Sequence, residues 1–194
     1  MNPDDVIRSF VAIEISDGVR EALKALQQDL KKAGARVGWV APENIHLTLV
    51  FLGDVFLSQI EPLAKSLDEV AARTASFSYD VAGSGFFGSP RAPRVLWAGV
   101  KEQGNAVTGL QARVEAAVRG LGMKTEERDF HPHLTLGRVR TRDRVDELTS
   151  RLASATNATY GSVDVHRLLL MQSHLEHQGV RYTVLHESAL KGAT

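Results

Sequence analysis

A four-residue sequence occurs twice in this chain and constrains its fold more than any other feature. His46-Leu47-Thr48-Leu49 returns letter for letter as His133-Leu134-Thr135-Leu136. Each copy follows a proline-containing segment and belongs to an apolar run typical of a strand. Internal repetition of this kind indicates related structural units. We therefore expect two halves related by a pseudo-two-fold axis.

Strand geometry predicts where the repeated side chains point. Successive side chains of a strand lie on opposite faces, so the histidine and threonine of each copy share one face and the leucines share the other. The leucines then anchor each strand on a helix-covered core. His46 and Thr48 should face His133 and Thr135 across a cleft between the halves.

The rest of the sequence predicts eight strands and four helices in an irregular order. The strands are expected at 9–15, 37–40, 45–52, 77–81, 94–100, 133–139, 163–173 and 180–187, and the helices at 19–30, 58–73, 104–121 and 144–153. A glycine- and proline-rich loop is expected at 83–93, and a hairpin turn at His177-Gln178-Gly179. This order favours an α+β domain with antiparallel sheets and helices packed outside. The length suits one bilobal domain, residues 1–194.

Composition excludes several classes of site. The chain has no cysteine, which excludes disulfides, zinc–thiolate sites and cysteine nucleophiles. Its formal net charge is zero, which argues against a protein that coats nucleic acid by bulk electrostatics. Neither a secretory signal nor a membrane-spanning apolar run is present in the sequence. We expect a cytoplasmic monomer.

Two facing histidines suit general acid–base catalysis at phosphorus. An imidazole with a pKa near 6.5 takes or gives a proton at neutral pH. In an in-line displacement, His46 and His133 would serve the incoming water and the departing oxygen on opposite sides of the phosphorus. The hydroxyls of Thr48 and Thr135 would donate hydrogen bonds to the non-bridging phosphate oxygens. A strained ribose cyclic phosphate fits this arrangement.

At these residues the sequence resembles the 2H phosphoesterase superfamily, and in particular its LigT-like branch of RNA 2′,3′-cyclic phosphodiesterases, also called 2′-5′ RNA ligases. Besides the two motifs, the resemblance is carried in order by Arg8 to Ile13, Trp39-Val40, Pro42 to Ile45, Phe51-Leu52-Gly53, Pro93 to Trp97, Gly99, Phe130 to Pro132, Gly137-Arg138, Ser173-His174-Leu175, Gly179 and Tyr182.

The resemblance implies a bilobal α+β fold with two antiparallel sheets lining a central cleft. It implies hydrolysis of RNA 2′,3′-cyclic phosphate ends to 2′-phosphates, with neither a metal nor another cofactor. It also implies reversible, ATP-independent joining of tRNA halves through a 2′-5′ linkage. The sequence does not assign the base and the acid, although we favour His46 as base and His133 as acid.

Further residues are candidates for substrate binding. Arg138 falls on the face opposite His133 if the strand is regular, and a bend or bulge would return it to the cleft. Phe130, at the mouth of the second motif, is the favoured ring for base stacking. Phe51 is out of phase with His46 and is expected in the core. The resemblance adds Arg8 and Tyr182 as neighbours of the cleft. Phe10, beside a strand near the predicted cleft, is a further candidate for base stacking, although core packing is the commoner fate of such a ring.

Three alternatives stay open from the sequence. The substrate could be a small cyclic nucleotide instead of RNA. The chain could be a nucleotide- or RNA-binding module without catalysis, although both motifs keep their histidines. A metal hydrolase is conceivable because His131 shares strand parity with His133, but neither motif has a carboxylate at useful spacing.

Overall fold

The computed structural model describes residues 4–126, 128–176 and 179–192. Within them the strands are β1 (Val6–Glu14), β2 (Val37–Trp39), β3 (His46–Phe56), β4 (Phe77–Ser89), β5 (Ala92–Glu102), β6 (His133–Val139), β7 (Thr159–Val165), β8 (Arg167–Glu176) and β9 (Gly179–Ala189). The helices are α1 (Asp17–Lys31), α2 (Leu57–Ala72), α3 (Ala106–Gly120) and α4 (Val145–Ser154), with a short 3₁₀ turn at Pro42–Asn44.

The strands form one continuous sheet in the order β7-β4-β5-β6-β3-β1-β8-β9. In addition, β2 pairs with the C-terminal part of β6. Neighbouring strands are antiparallel throughout this path. The two sheets expected from the sequence are thus two halves of a single sheet, with four strands in one half and five, including β2, in the other. The α+β class with antiparallel strands is confirmed.

The two halves meet where the repeated motifs lie. β3 and β6 are joined in register at Leu47 and Leu134, which are equivalent positions of the two copies. An antiparallel pair between equivalent residues has the symmetry of a two-fold axis passing between them. We call this contact the seam.

The helices cover the face of the sheet that carries the leucines. Ser16 caps α1, its hydroxyl accepting a hydrogen bond from the backbone N–H of Val19 at 3.4 Å. Apolar residues at helical spacing bury one stripe of each helix. Leu47 and Leu134, both fully buried, belong to the same cluster as those stripes. The opposite, concave face of the sheet is left for the histidines and threonines.

Two expectations about elements are wrong. The expected loop at 83–93 is mostly strand, because β4 and β5 pair as a long hairpin as far as Ser89 and Ala92. The expected strand at 163–173 is two strands, because the chain crosses at His166 from the edge of one half to β1 in the other. The expected turn residues His177 and Gln178 lie outside the described residues.

Each motif strand carries a β-bulge directly after its threonine. In β3, Ala12 is opposite Thr48 and Val11 is opposite Val50, so Leu49 is the extra residue. In β6, Trp97 is opposite Thr135 and Leu96 is opposite Gly137, so Leu136 is the extra residue. A bulge shifts the alternation of faces by one position. The fifth residue after each motif histidine therefore returns to the concave face.

Among the described residues, no helix is both long and apolar enough to cross a membrane.

Candidate active site

The seam brings both motifs onto the concave face. Leu47 is paired with Leu134, and the two strands are antiparallel. His46 is therefore next to Thr135 across the seam, and Thr48 is next to His133. All four of these side chains are half-buried, whereas the leucines between them are fully covered. The alternation agrees with the strand parity expected from the sequence.

Each histidine is held by the same backbone contact. Nδ1 of His46 lies 2.8 Å from the carbonyl oxygen of Asn44, and Nδ1 of His133 lies 2.6 Å from that of His131. A carbonyl oxygen cannot donate, so Nδ1 carries the hydrogen in both rings. The neutral rings consequently present Nε2 as an acceptor on the side away from their own backbone. Both copies of the motif thus offer a proton acceptor in the same way.

Aromatic rings enclose His46. Phe10 stacks on the imidazole with centroids 4.7 Å apart, and Tyr182 meets it edge-on at 5.1 Å. The two rings also contact each other, 5.0 Å apart. This burial lowers the pKa of His46 to about 4, and the hydrogen bond to the Asn44 carbonyl opposes that shift in part. His46 is therefore neutral at pH 7.

His133 has a more polar environment. Phe87 of β4 meets its ring edge-on with centroids 4.8 Å apart. Burial lowers the pKa of His133, and positive charge on Arg138 and His131 lowers it further against the opposing hydrogen bond to the His131 carbonyl. Phe87 was missed by the sequence analysis because it fell in the expected loop.

The β6 bulge brings Arg138 to the concave side. Positive charge on Arg138 acts on both His133 and Tyr182, which belong to different halves of the sheet. Burial raises the pKa of Tyr182, while Arg138 and then Arg8 oppose that rise. The arrangement places the two guanidinium groups where they favour an anion between the halves.

The sequence predicted that Phe51 lies in the core, and this prediction is wrong because of the β3 bulge. Its side chain is 45% exposed and faces the cleft instead of the core. Phe130, expected as the stacking ring, packs against the hydrophobic core. Phe10 is 3% exposed, so its ring contacts His46 and leaves little surface for a base. Phe51 is thus the exposed ring next to the motifs.

A groove of about 570 Å³ extends from the aromatic cluster between the halves. Its walls include Arg8, Phe10, Tyr182, Phe51 and Arg138. Arg8, Phe10, Arg138 and Tyr182, the four of these that the sequence suggested for substrate binding, therefore line one groove together with Phe51. Among the described residues, no group of three or more His, Asp or Glu side chains is arranged to hold a metal ion.

A sheet in which two equivalent strands each present His-x-Thr on one concave face defines the class of 2H phosphoesterases. The family model described as LigT like Phosphoesterase matches this chain over residues 13–97 and 99–182, and each segment contains one motif. The chain belongs to this family.

Three relatives show how far the similarity extends. The RNA 2′,3′-cyclic phosphodiesterase of Aquifex aeolicus is 34% identical over 96% of this chain and 99% of its own length. The protein of the same name from Methanothermobacter thermautotrophicus is 33% identical over 91% of this chain and 95% of its own. Escherichia coli LigT, crystallised with 3′-AMP, superposes with a TM-score of 0.71 at 27% identity, over 96% of this chain and 99% of that one.

Proposed function

We propose that this protein hydrolyses 2′,3′-cyclic phosphates at RNA ends to 2′-phosphates. The observation that carries the proposal is the pair of imidazoles on one concave face, each with Nδ1–H bound to a backbone carbonyl and Nε2 free to exchange a proton. The curated relatives above, named RNA 2′,3′-cyclic phosphodiesterases, support the substrate class.

The proposed reaction needs one proton acceptor and one proton donor. Water attacks the phosphorus and gives its proton to Nε2 of one histidine. The bond from phosphorus to the ribose O3′ breaks, and Nε2–H of the other histidine protonates that oxygen. Thr48 and Thr135 donate hydrogen bonds to the non-bridging oxygens, and Arg138 balances their negative charge. The phosphate stays on O2′.

We assign His46 as the base. Its lowered pKa leaves Nε2 unprotonated at neutral pH, as a base requires. Burial lowers the pKa of His133 as well, but its ring has fewer aromatic neighbours and is the easier of the two to protonate, so we assign His133 as the acid. A substrate with a better leaving group than the ribose O3′ tests the assignment, because it needs little help from an acid. The activity of the His133→Ala variant should recover with such a substrate, and that of His46→Ala should not. The reverse pattern would exchange the two roles.

The terminal nucleoside fits beside the seam. Phe51 and Arg138 hold equivalent positions, five residues after His46 and His133, and both face the concave side. A base can stack on the exposed ring while the guanidinium contacts the phosphate or the base. E. coli LigT was crystallised with 3′-AMP, which supports the binding of a nucleotide by this fold.

The reaction is proposed to run without a metal. The test is a pH–rate profile on a 2′,3′-cyclic phosphate with EDTA present, for the wild type and for His46→Ala and His133→Ala. We expect a bell-shaped profile and a loss of at least about 100-fold in each variant, since general acid–base catalysis contributes about 10²–10⁴-fold. Near-normal turnover in either variant would exclude the two-histidine mechanism, and loss of wild-type activity in EDTA would indicate a metal hydrolase.

We propose that the same site also performs ligation when a 5′-hydroxyl replaces water. The 5′-oxygen then attacks the phosphorus, O3′ leaves with the proton of the acid, and a 2′-5′ linkage forms without ATP. Incubation of an RNA ending in a cyclic phosphate with a second RNA bearing a 5′-hydroxyl tests this step. The expected product has a junction that resists nucleases specific for 3′-5′ linkages.

A further inference from the structure

The groove lies beside the motifs, where Phe10, the ring stacked on His46, forms part of its wall. Its lining carries four cationic side chains and one carboxylate, that of Glu126. Arg8 of β1, Lys124 and Arg128 of the segment before β6, and Arg138 of β6 all line it. These residues come from three parts of the chain, whereas the chain as a whole has no net charge. The positive charge is therefore concentrated at one end of the concave face.

Towards the other end of the concave face, two carboxylates accompany one guanidinium. β1 runs from Arg8 in the groove to Glu14, which is paired with His46 in the β1–β3 register. There Arg167 is bound between two carboxylates, with Nε 2.6 Å from Glu14 and a second nitrogen 3.1 Å from Glu187. A polyanion entering the cleft is attracted to the Arg8 end and not to the Glu14 end.

Exposed apolar side chains accompany the cations. Phe51 is 45% exposed, Leu175 76% and Val180 37%, and all three line the groove. Cations that track a backbone, interleaved with apolar and aromatic side chains that meet the bases, are the combination found in sites for single-stranded nucleic acid. A duplex would cover the base faces that these side chains can contact.

The charge of Arg128 is available to a ligand. Its guanidinium lies 3.1 Å from the carboxylate of Glu126, and the side chains are 82% and 50% exposed. Exposed ion pairs stabilise a protein only slightly, so exchanging this carboxylate for a phosphate costs little.

We propose that this groove binds the nucleotides on the 5′ side of the cyclic phosphate, with Lys124 and Arg128 contacting their phosphates. The preferred substrate is then a single-stranded RNA end and not a mononucleotide. This inference rests on the proposed function, since the same histidines must act on the terminal nucleotide.

The test compares substrate length and salt dependence. Wild type, the Lys124→Ala/Arg128→Ala variant and a control are assayed on a mononucleotide and on a tetranucleotide that end in the same 2′,3′-cyclic phosphate. The control, Lys24→Ala/Lys65→Ala, also removes two positive charges, here from ion-paired lysines of α1 and α2 outside the groove. Binding of the tetranucleotide 2′-phosphate product is measured over a range of salt concentrations.

The expected wild-type preference for the tetranucleotide is about tenfold in kcat/KM, and the groove variant should reduce the ratio to near one. Each phosphate contact to single-stranded nucleic acid contributes about 0.7 to the slope of log affinity against log salt. The groove variant should therefore lower that slope by about 1.4, and the control should leave both quantities unchanged.

Two failures are distinguishable. If the wild type turns over neither substrate, the proposed function is wrong. If it turns over both equally well, or if the groove variant keeps the preference and the salt slope, the groove does not bind the 5′ nucleotides and the phosphodiesterase proposal stands. A further assay presents the tetranucleotide within a duplex. If the enzyme still prefers it to the mononucleotide, the groove does not select single-stranded RNA.

Discussion

The two motif histidines have the same backbone anchor but different neighbours. Both rings donate from Nδ1 to the carbonyl two residues earlier, through Asn44 and His131. His46 is then enclosed by Phe10 and Tyr182, whereas His133 has Phe87 and the charge of Arg138 nearby. Burial is the main cause of the lowered pKa of both imidazoles, but nearby positive charge lowers that of His133 in addition.

The lowered pKa of His46 makes folding stability depend on pH. The unfolded chain takes up a proton at His46 near pH 6.5, and the folded chain does so near pH 4. Between these values the unfolded state binds more protons, so stability falls as the pH falls. The full effect is up to about 3 kcal/mol, at about 1.4 kcal/mol per pKa unit. Urea denaturation at pH 7, 5.5 and 4.5 should show a smaller loss in His46→Gln than in the wild type, and equal losses would contradict the assigned pKa.

Removing one aromatic neighbour should raise the pKa of His46. Tyr182 is half-buried and meets the imidazole edge-on, so Tyr182→Ala admits water to the ring. We expect the pKa to move from about 4 towards 6.5, and the acidic limb of the kcat/KM profile to move up with it. NMR titration of the His46 ring measures the pKa directly. Val184→Ala, an exposed position on the same strand, is the control, and an unchanged pKa in Tyr182→Ala would assign the shift to other neighbours.

At the residue scale, the sequence predicted the faces of the motifs correctly and those of the aromatic residues poorly. The alternation of side chains along a strand was enough to predict the face of His46 and Thr48, because both residues precede the bulge. It failed for Phe51 because an extra residue at Leu49 has no signature in the sequence. The partial burial of Phe130 against the core was not predictable, since that packing depends on elements distant in the chain.

At the element scale, the bulge in β6 is supported by a buried polar side chain. Gln27 of α1 is 1% exposed, and its amide donates to the carbonyl oxygens of Val40 at 2.8 Å and Leu136 at 2.9 Å. The backbone N–H of Val40 also donates to the Leu136 carbonyl at 3.0 Å. The carbonyl oxygen of the extra residue is thus hydrogen-bonded, and Arg138 is turned into the cleft.

Gln27→Met should affect both stability and activity. It removes two buried hydrogen bonds with little change in volume, at a cost of about 1–3 kcal/mol in the free energy of unfolding. If the bulge positions Arg138, kcat/KM should also fall, and Gln27→Met should cause no further fall in an Arg138→Ala background. Gln28→Met, exposed on the same helix, is the matched control. Additive losses of activity in the double variant would show that Gln27 acts on the site by another route.

The order of elements was predictable, but their lengths in the middle of the chain were not. Helical spacing identified all four helices, because each buries one stripe against the sheet. The glycines between 83 and 93 suggested a loop, yet several are required for close packing within β4. A Cβ on Gly85 would lie 2.4 Å from Cζ2 of Trp97, which is its partner across the β4–β5 pair. Glycine there makes room for a large neighbour instead of forming a turn.

At the scale of the whole molecule, the chain crosses the seam repeatedly. The half that contains β3 is formed by β1, β3, β8 and β9. The half that contains β6 is formed by β2 and by β4 to β7. Neither half is a continuous piece of the sequence. We therefore expect the halves to unfold together.

Removing a side chain at the seam tests this expectation. Leu134 is fully buried, so Leu134→Ala should cost about 2–5 kcal/mol in the free energy of unfolding. The urea transition should stay single, with fluorescence of Trp39 and Trp97, which report on the half containing β6, coinciding with far-UV circular dichroism, which reports on all elements. Separate transitions for the two probes would show that the halves unfold independently. Leu121→Ala, at an exposed position, should change the stability little.

The seam also has the form of an interface between two identical subunits. Equivalent residues, Leu47 and Leu134, meet across a local two-fold axis, as the two copies of a surface do in an isologous dimer. In such a dimer every substitution would appear twice in the shared cleft. One covalent chain removes that constraint, so one half can carry Phe51 where the other carries Arg138. A symmetric framework thereby holds a site that can distinguish the two ends of an asymmetric ligand.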